Sequence, residues 1–333
     1  MLRAVTGMIM GFSLAAAPVL AQTTTSTVLT GEAFGFQVMD STTPDPFTFT
    51  AATGVEPNGI DVISNIITIS GITEPVTASI SDLGGGGAPK ISVNGALYTA
   101  GPVQVFDGDS LRVSVLPETG VFSRTYQAEV TVGDGSAVFS VTTRAADTTP
   151  EAFAFLPATN QEPGTLVSSA GVTITGLEAS APVSVAGAAG TPQISLDGGL
   201  NWGVSGSVAN NGTVAVRLTS GTFGETRTAT VTIGGVTADF SVTTRSSNEN
   251  PVFADFTDQT GVEPSVTITS DAVTVTGIES SVTASVSGDG LPELQVNGGA
   301  WVPAGTSATV ANNDTIRLRL TSGAFGETRT ATL

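Results

Sequence analysis

The sequence predicts an all-β protein, a tandem array of three two-sheet sandwiches of which the third is truncated. Three observations carry that prediction. Charged residues make up only 12% of the chain while 40 Gly and 17 Pro punctuate runs of Thr, Ser and Val, a mixture that suits strands and tight turns rather than helices. Apolar and polar residues alternate at period two in segment after segment, as a strand with one wet face requires. The chain also repeats itself: IITISGI (66–72), GVTITGL (171–177) and AVTVTGI (272–278) align on Gly71, Gly176 and Gly277, 105 and 101 residues apart.

Taken in order, the chain opens with MLRAVTGMIMGFSLAAAPVLAQ. One positive charge at Arg3, an apolar run and the small residues of Val19-Leu20-Ala21 before Gln22 are the parts of a cleaved export signal over 1–21. The run approaches membrane-spanning length, but the well-formed cleavage site favours removal and export, most simply from a bacterium. Residues 22–45 are a Thr-rich leader or linker. The first repeat then covers 46–145, the second 151–245 and the third 251–333. Each begins with a short polar linker, a proline (Pro44, Pro150 or Pro251) and an aromatic strand; proline fixes φ and donates no ladder bond, so it marks a strand start and a semi-rigid hinge.

Within each repeat ISVNGALY, ISLDGGLNW or LQVNGGAW follows. The pairs Asn94-Gly95, Asp197-Gly198 and Asn297-Gly298 tolerate positive φ and predict a hairpin turn. Next come SLRVSV, TVAVRL and TIRLRL. Here Leu111, Val113 and Val115, with Val214, Val216 and Leu218, and Ile316, Leu318 and Leu320, are expected to face the core. Arg112, Arg217, Arg317 and Arg319 are expected to face water. The first two repeats close with alternating runs around a Gly-rich turn, ending at Arg144 and Arg245. Leu333 aligns with Val231 of the second repeat, so the third is expected to be an incomplete and less stable sandwich in a longer array.

Composition excludes several functions. There is no His and no Cys, so no Ser-His-Asp triad, thiol nucleophile, disulfide framework or His-ligated metal can form. A net charge of -18 repels phosphate backbones and anionic membranes, so nucleic acid is not an expected partner. After the export signal no segment reads as a membrane span.

About eight short strands per hundred residues, with turn signals between them, suit an immunoglobulin-like or fibronectin III-like sandwich, with a jelly roll as the alternative for each unit. The pattern VTITSDAVTVTGI, LQVNGGAW, ANNDTIRLRLTS, FGETRTATVTIGG and FSVTT resembles the tandem Ig-like repeats of bacterial secreted and cell-surface proteins, over residues 46–333. The resemblance implies a modular extracellular protein whose repeats serve as stalks, spacers or ligand-binding modules.

Four constellations merit weighing. Glu56, Glu162 and Glu263 each precede a proline; one acid per repeat does not supply the paired carboxylates of glycoside chemistry, so a kink where the first strand switches sheets is the expected reading. Tyr98, Trp202 and Trp301 follow the hairpin turn and are either packing aromatics or platforms for a stacked ligand such as a sugar. Asp107 and Asp109 resemble part of a calcium loop, and Asp147, Glu151 and Glu249 at the linkers are further calcium candidates; calcium wants six to eight oxygens, so solvated acidic turns are the plainer alternative. Arg227 and Arg329 are expected to meet Glu225 and Glu327, or water, on an outer face. No catalytic group and no cofactor is expected. The sequence thus reads as a non-enzymatic exported scaffold, stalk or adhesion element, facing an unknown protein or glycan at the cell surface. The alternative is a set of carbohydrate-binding modules appended to an enzyme or adhesin.

Overall fold

A computed structural model describes residues 41–333; the export signal expected over 1–21 and the leader up to residue 40 lie outside the described residues. Among those described, every regular element is a strand, and no helix is long and apolar enough to cross a membrane. The chain divides into two compact units, one of residues up to Gly120 with Thr125–Thr142, the other of Val121–Arg124 with Thr143–Leu333.

In the first unit, one sheet runs in the order Ala52–Val55, Gly135–Thr143, Thr125–Val132, Val76–Gly84, Val103–Val105. The facing sheet centres on Ser110–Val115, paired with Val62–Ile63, Ile67–Thr68 and Lys90–Val93. Period-two patterning sends Leu111, Val113 and Val115 inward to meet Ala128, Val130, Phe139 and Val141 of the other sheet, all at most 1% exposed. Tyr126 is buried among them, and its hydroxyl accepts the Glu118 amide at 2.9 Å. A buried tyrosine tied to backbone a few residues upstream is a corner device of immunoglobulin sandwiches.

The run Gly84 to Gly87 reads in sequence as a flexible loop, but packing explains it better. A Cβ on Gly85 would stand 2.7 Å from the Tyr126 Cα, and one on Gly87 would stand 2.6 Å from a Val115 methyl. Gly85 and Gly87 let the backbone pass close over the core, while Gly84 and Gly86 face open space.

The second unit holds two cores. In the second repeat one sheet is ordered Ala158–Gln161, Val236–Thr244, Thr226–Ile233, Ala181–Ala186, Ser205–Val208; the other joins Leu166–Ser168, Val172–Thr173 and Gln193–Ser195 to Thr213–Thr219. The first strand runs parallel to the closing strand, and every other pair in these two sheets is antiparallel. A closing hairpin, Thr226–Ile233 with Val236–Thr244, flanked by Ala181–Ala186 in one sheet and facing a second sheet built on Thr213–Thr219, is the immunoglobulin-like arrangement. The protein is therefore all-β with tandem Ig-like sandwiches. Glu162-Pro163 sits where the chain leaves one sheet for the other, since Ala158–Gln161 belongs to the first and Leu166–Ser168 to the second. That is the kink the sequence predicts.

The third repeat keeps the pattern with fewer pairings. Thr315–Thr321 pairs with Thr267–Thr269, Val273–Thr274 and Glu293–Val296, and Glu293–Val296 also pairs with Trp301–Pro303. Ala331–Thr332 pairs with Ser287–Gly288, the register that Thr230 and Ala186 hold in the second repeat. Its core gathers eight buried apolar residues against fifteen in the second repeat. A groove of about 800 Å³, lined by Phe256, Ile268, Leu318, Phe325 and Arg329, runs along it. Leu320, expected inside, is half-buried.

The linker ahead of the second repeat is anchored. Gly234, at φ 53° in the closing turn, lies so close beneath it that a Cβ there would stand 1.9 Å from the Thr148 carbonyl oxygen. The Asp147 carbonyl accepts the Glu178 amide at 2.8 Å, and the Glu151 amide donates to Thr175 at 2.9 Å.

Candidate functional site

The hairpin aromatics come first. Tyr98, Trp202 and Trp301 are all half-buried, and the two tryptophans share a specific setting. The Arg217 guanidinium carbon lies 4.2 Å from the Trp202 ring centre, and Arg319 stands at the same distance from Trp301. Each arginine is held by its cross-strand neighbour: Arg217 donates to Gln193 Oε1 at 2.7 and 3.0 Å, and Arg319 pairs with Glu293. Arg217 and Arg319, expected to face water, are therefore half-buried under the indoles, a favourable cation–π arrangement. In the first repeat the position of these arginines is Ser114, so Tyr98 has no such cation beneath it. Sequence reasoning missed the stack because arginine and tryptophan come from different strands and meet only across the ladder.

The calcium candidates are dispersed among turns. Asp109 accepts from Asn94 Nδ2 at 2.7 Å and from the Phe106 amide at 2.8 Å; Asp107 accepts the Gly71 amide at 2.9 Å. The third repeat repeats the clasp with Asn297 Nδ2 on Asp314 at 2.7 Å and the Ala311 amide on the same carboxylate. These bonds hold the Asp314 carboxyl below its ordinary value. The second repeat has Asp197 in the asparagine position and Gly212 in the aspartate position, which avoids facing two carboxylates. Asp197 instead caps its own loop, taking the Asn201 amide and side chain, Ser195 Oγ and the Leu200 amide, which lower its pKa to about 2.

At the linkers, Asp147 Oδ1 accepts the Thr149 amide, Glu151 Oε2 accepts from Thr175 Oγ1, and Glu249 Oε1 accepts from Ser247 Oγ. Among the described residues no three His, Cys, Asp or Glu side chains gather so as to hold a metal ion.

The arginine–glutamate pairs of the GETR segments form as expected, Arg227 Nε to Glu225 at 2.6 Å and Arg329 Nε to Glu327 at 3.1 Å. They reach further than a surface pair. Arg227 occupies the position of Tyr126, and its Nη1 donates to the carbonyls of Thr219 and Ser220; Arg329 donates likewise to Thr321. The arginine thus takes over the corner that the tyrosine makes in the first repeat.

The most concentrated electrostatics lie where one repeat meets the next inside the second unit. Arg245, the last residue of the second repeat, places Nη1 and Nη2 each 2.6 Å from the two carboxylate oxygens of Glu279 in the third repeat. Its Nε reaches Glu162 of the second repeat at 2.8 Å, and its guanidinium lies 4.9 Å from the Phe223 ring centre. The Asn248 amide, in the linker, also donates to Glu279 at 2.8 Å. Together the Arg245 hydrogen bonds and this amide pull the Glu279 carboxyl down to about 2. Arg144, Glu178, the Asp147 amide and Phe122, all within the same unit, repeat the arrangement with the same 2.6 Å fork. The signal was present in the sequence as an arginine ending each closing run and a glutamate two residues after Gly176 and Gly277.

No protein-family profile and no characterised protein sequence matches the chain. Among solved structures, the chain is similar to titin domains Z1Z2 in complex with telethonin, at 14% identity and a TM-score of 0.31 over 62% of this chain and all of that one. It is also similar to S-layer protein SbsC domains 4 and 5, at 13% identity and a TM-score of 0.24 over 49% and 72% of the two chains. A third is the eight N-terminal Ig domains of Down Syndrome Cell Adhesion Molecule, at 12% identity and a TM-score of 0.28 over 85% and 38%. At these scores the fold assignment stands on the strand order itself.

Proposed function

We propose that this chain is a non-enzymatic, exported repeat scaffold, a stalk or adhesion element at the cell surface or outside the cell. One observation supports the reading above the others: the charged side chains that stand out are committed to turns, corners and repeat junctions, and the same commitments recur from repeat to repeat. The chemistry that the sequence spends on ionisable groups goes into holding sandwiches in order. The expected result of fractionating producing cells is a mature chain beginning at Gln22, recovered outside the cytoplasm. Recovery in the cytoplasm with an intact N-terminus overturns export, and hydrolysis of polysaccharide or peptide by the purified chain overturns the non-enzymatic half.

A set of carbohydrate-binding modules is the second reading. What supports it is the half-exposed aromatic at the same hairpin in every repeat, with Trp202 and Trp301 each held flat by a guanidinium on one face. Glycan-array binding that disappears in Trp202→Ala and Trp301→Ala, with the fold retained, would decide for it.

A further inference from the structure

The junction inside the second unit does more than add an ion pair. Exposed arginine–carboxylate pairs are worth little unless the geometry is bidentate or several groups act as a network. Arg245 satisfies both conditions. Its fork takes both oxygens of Glu279, its Nε takes Glu162, and its flat face lies against Phe223. Two of these partners belong to the repeat that ends at Arg245, and Glu279 belongs to the repeat that follows. Glu279 is itself fixed from the linker side, since the Asn248 amide donates to its carboxylate and its own amide donates to the Asn248 carbonyl at 2.8 Å each.

The acceptor position is not constant along the chain. Glu178 and Glu279 stand two residues after Gly176 and Gly277, whereas Thr73 stands two residues after Gly71. Thr73 has no carboxylate, and its hydroxyl and amide are already bonded to the Ser41 backbone at 2.6 and 3.0 Å. A repeat headed by threonine in this way lacks the carboxylate at the position that Glu178 and Glu279 hold; the exposed Glu74 stands one residue further on, in register with Ala179.

We propose that the head of a repeat carrying this glutamate is a docking surface whose partner is the closing arginine of another repeat of the same kind. The fork sets the orientation of the third repeat on the second, and the residue after Gly-Leu or Gly-Ile decides whether a repeat can follow another or only lead. This is independent of what the array displays or binds.

The chain has no cysteine, so Thr228→Cys in the second repeat and Thr309→Cys in the third, both exposed, give a clean spin-labelled pair in the full chain. The expected distance distribution is narrow. In Glu279→Thr, which installs the residue of the first repeat, and in Arg245→Ala, it broadens by roughly twofold or more, because short-linked domains move relative to one another by default unless something holds them. Arg245→Lys, which keeps charge without the planar fork, falls between. Hydrogen exchange within each repeat is expected to stay unchanged in all three variants. A distribution equally narrow in Glu279→Thr and Arg245→Ala overturns the proposal. So does broadening that appears only together with lost protection inside a repeat, which would make the arginine a local stabiliser.

Discussion

Ser114 illustrates what one residue can reveal about a sandwich. It is 1% exposed, and its hydroxyl has no hydrogen-bond partner. A buried hydroxyl without a partner forfeits its hydration and gains nothing back. Ser114→Ala is therefore expected to raise the stability of the first repeat by about 1 kcal/mol, read as a higher denaturant midpoint at unchanged slope. The same reasoning with the opposite sign applies to Asn297, which donates to Asp314 and accepts the Thr315 amide while adopting φ 50°. Asn297→Ala loses both bonds and the tolerance of positive φ, and should destabilise the third repeat by roughly 1–3 kcal/mol. An equal melt would show that the clasp between the two turns is idle.

At the scale of elements, the linkers and closing hairpins behave as parts of one object. Gly234 is tied to its place by a left-handed φ and by the Thr148 carbonyl lying over it. Gly234→Ala has no room for its methyl, so it should cost more than about 1 kcal/mol and free residues 147–149 to exchange. The inward positions of the strands were mostly legible beforehand: Val214, Val216 and Leu218 are completely buried, whereas Leu320 is only half-buried and Ser114, at an outward position, is buried. The arginines between them were legible only as polar positions. Whether such a residue meets water or an indole depends on which strand lies alongside, and that is a property of the ladder. The third repeat has about half the buried apolar residues of the second and an open groove beside Ile268 and Leu318. Its amides are expected to exchange first in a hydrogen-exchange experiment, and protection equal to that of the second repeat would contradict this.

Across the whole molecule, acid should act through the paired carboxylates. Glu178, Glu225 and Glu279 are each held down from 4.5 to about 2, mainly by hydrogen bonds from an arginine. A carboxyl whose pKa is lower when folded contributes stability that is complete above its ordinary value and is lost as pH falls toward the folded one. Stability and the order of the second and third repeats should therefore hold level between about pH 5 and 8 and decline between about pH 4.5 and 2. In the spin-labelled chain, broadening over that acid range, reversed on neutralisation, is the expected outcome. A distribution that stays narrow at pH 2 would show that the charge on Glu279 is not what holds the junction.

The sequence by itself determined the strand-and-turn composition, the threefold repeat, most of the core faces and the sheet switch at Glu162-Pro163, because each depends on local propensity or on a period read along one segment. Tertiary structure alone decided that the aspartates clasp turns, that arginine replaces tyrosine at the sandwich corner, that tryptophan lies on arginine, and that Arg245 spans to Glu279. Those four arrangements bring together residues on different strands, turns or repeats, and sequence spacing carries no measure of distance across a sheet or a junction.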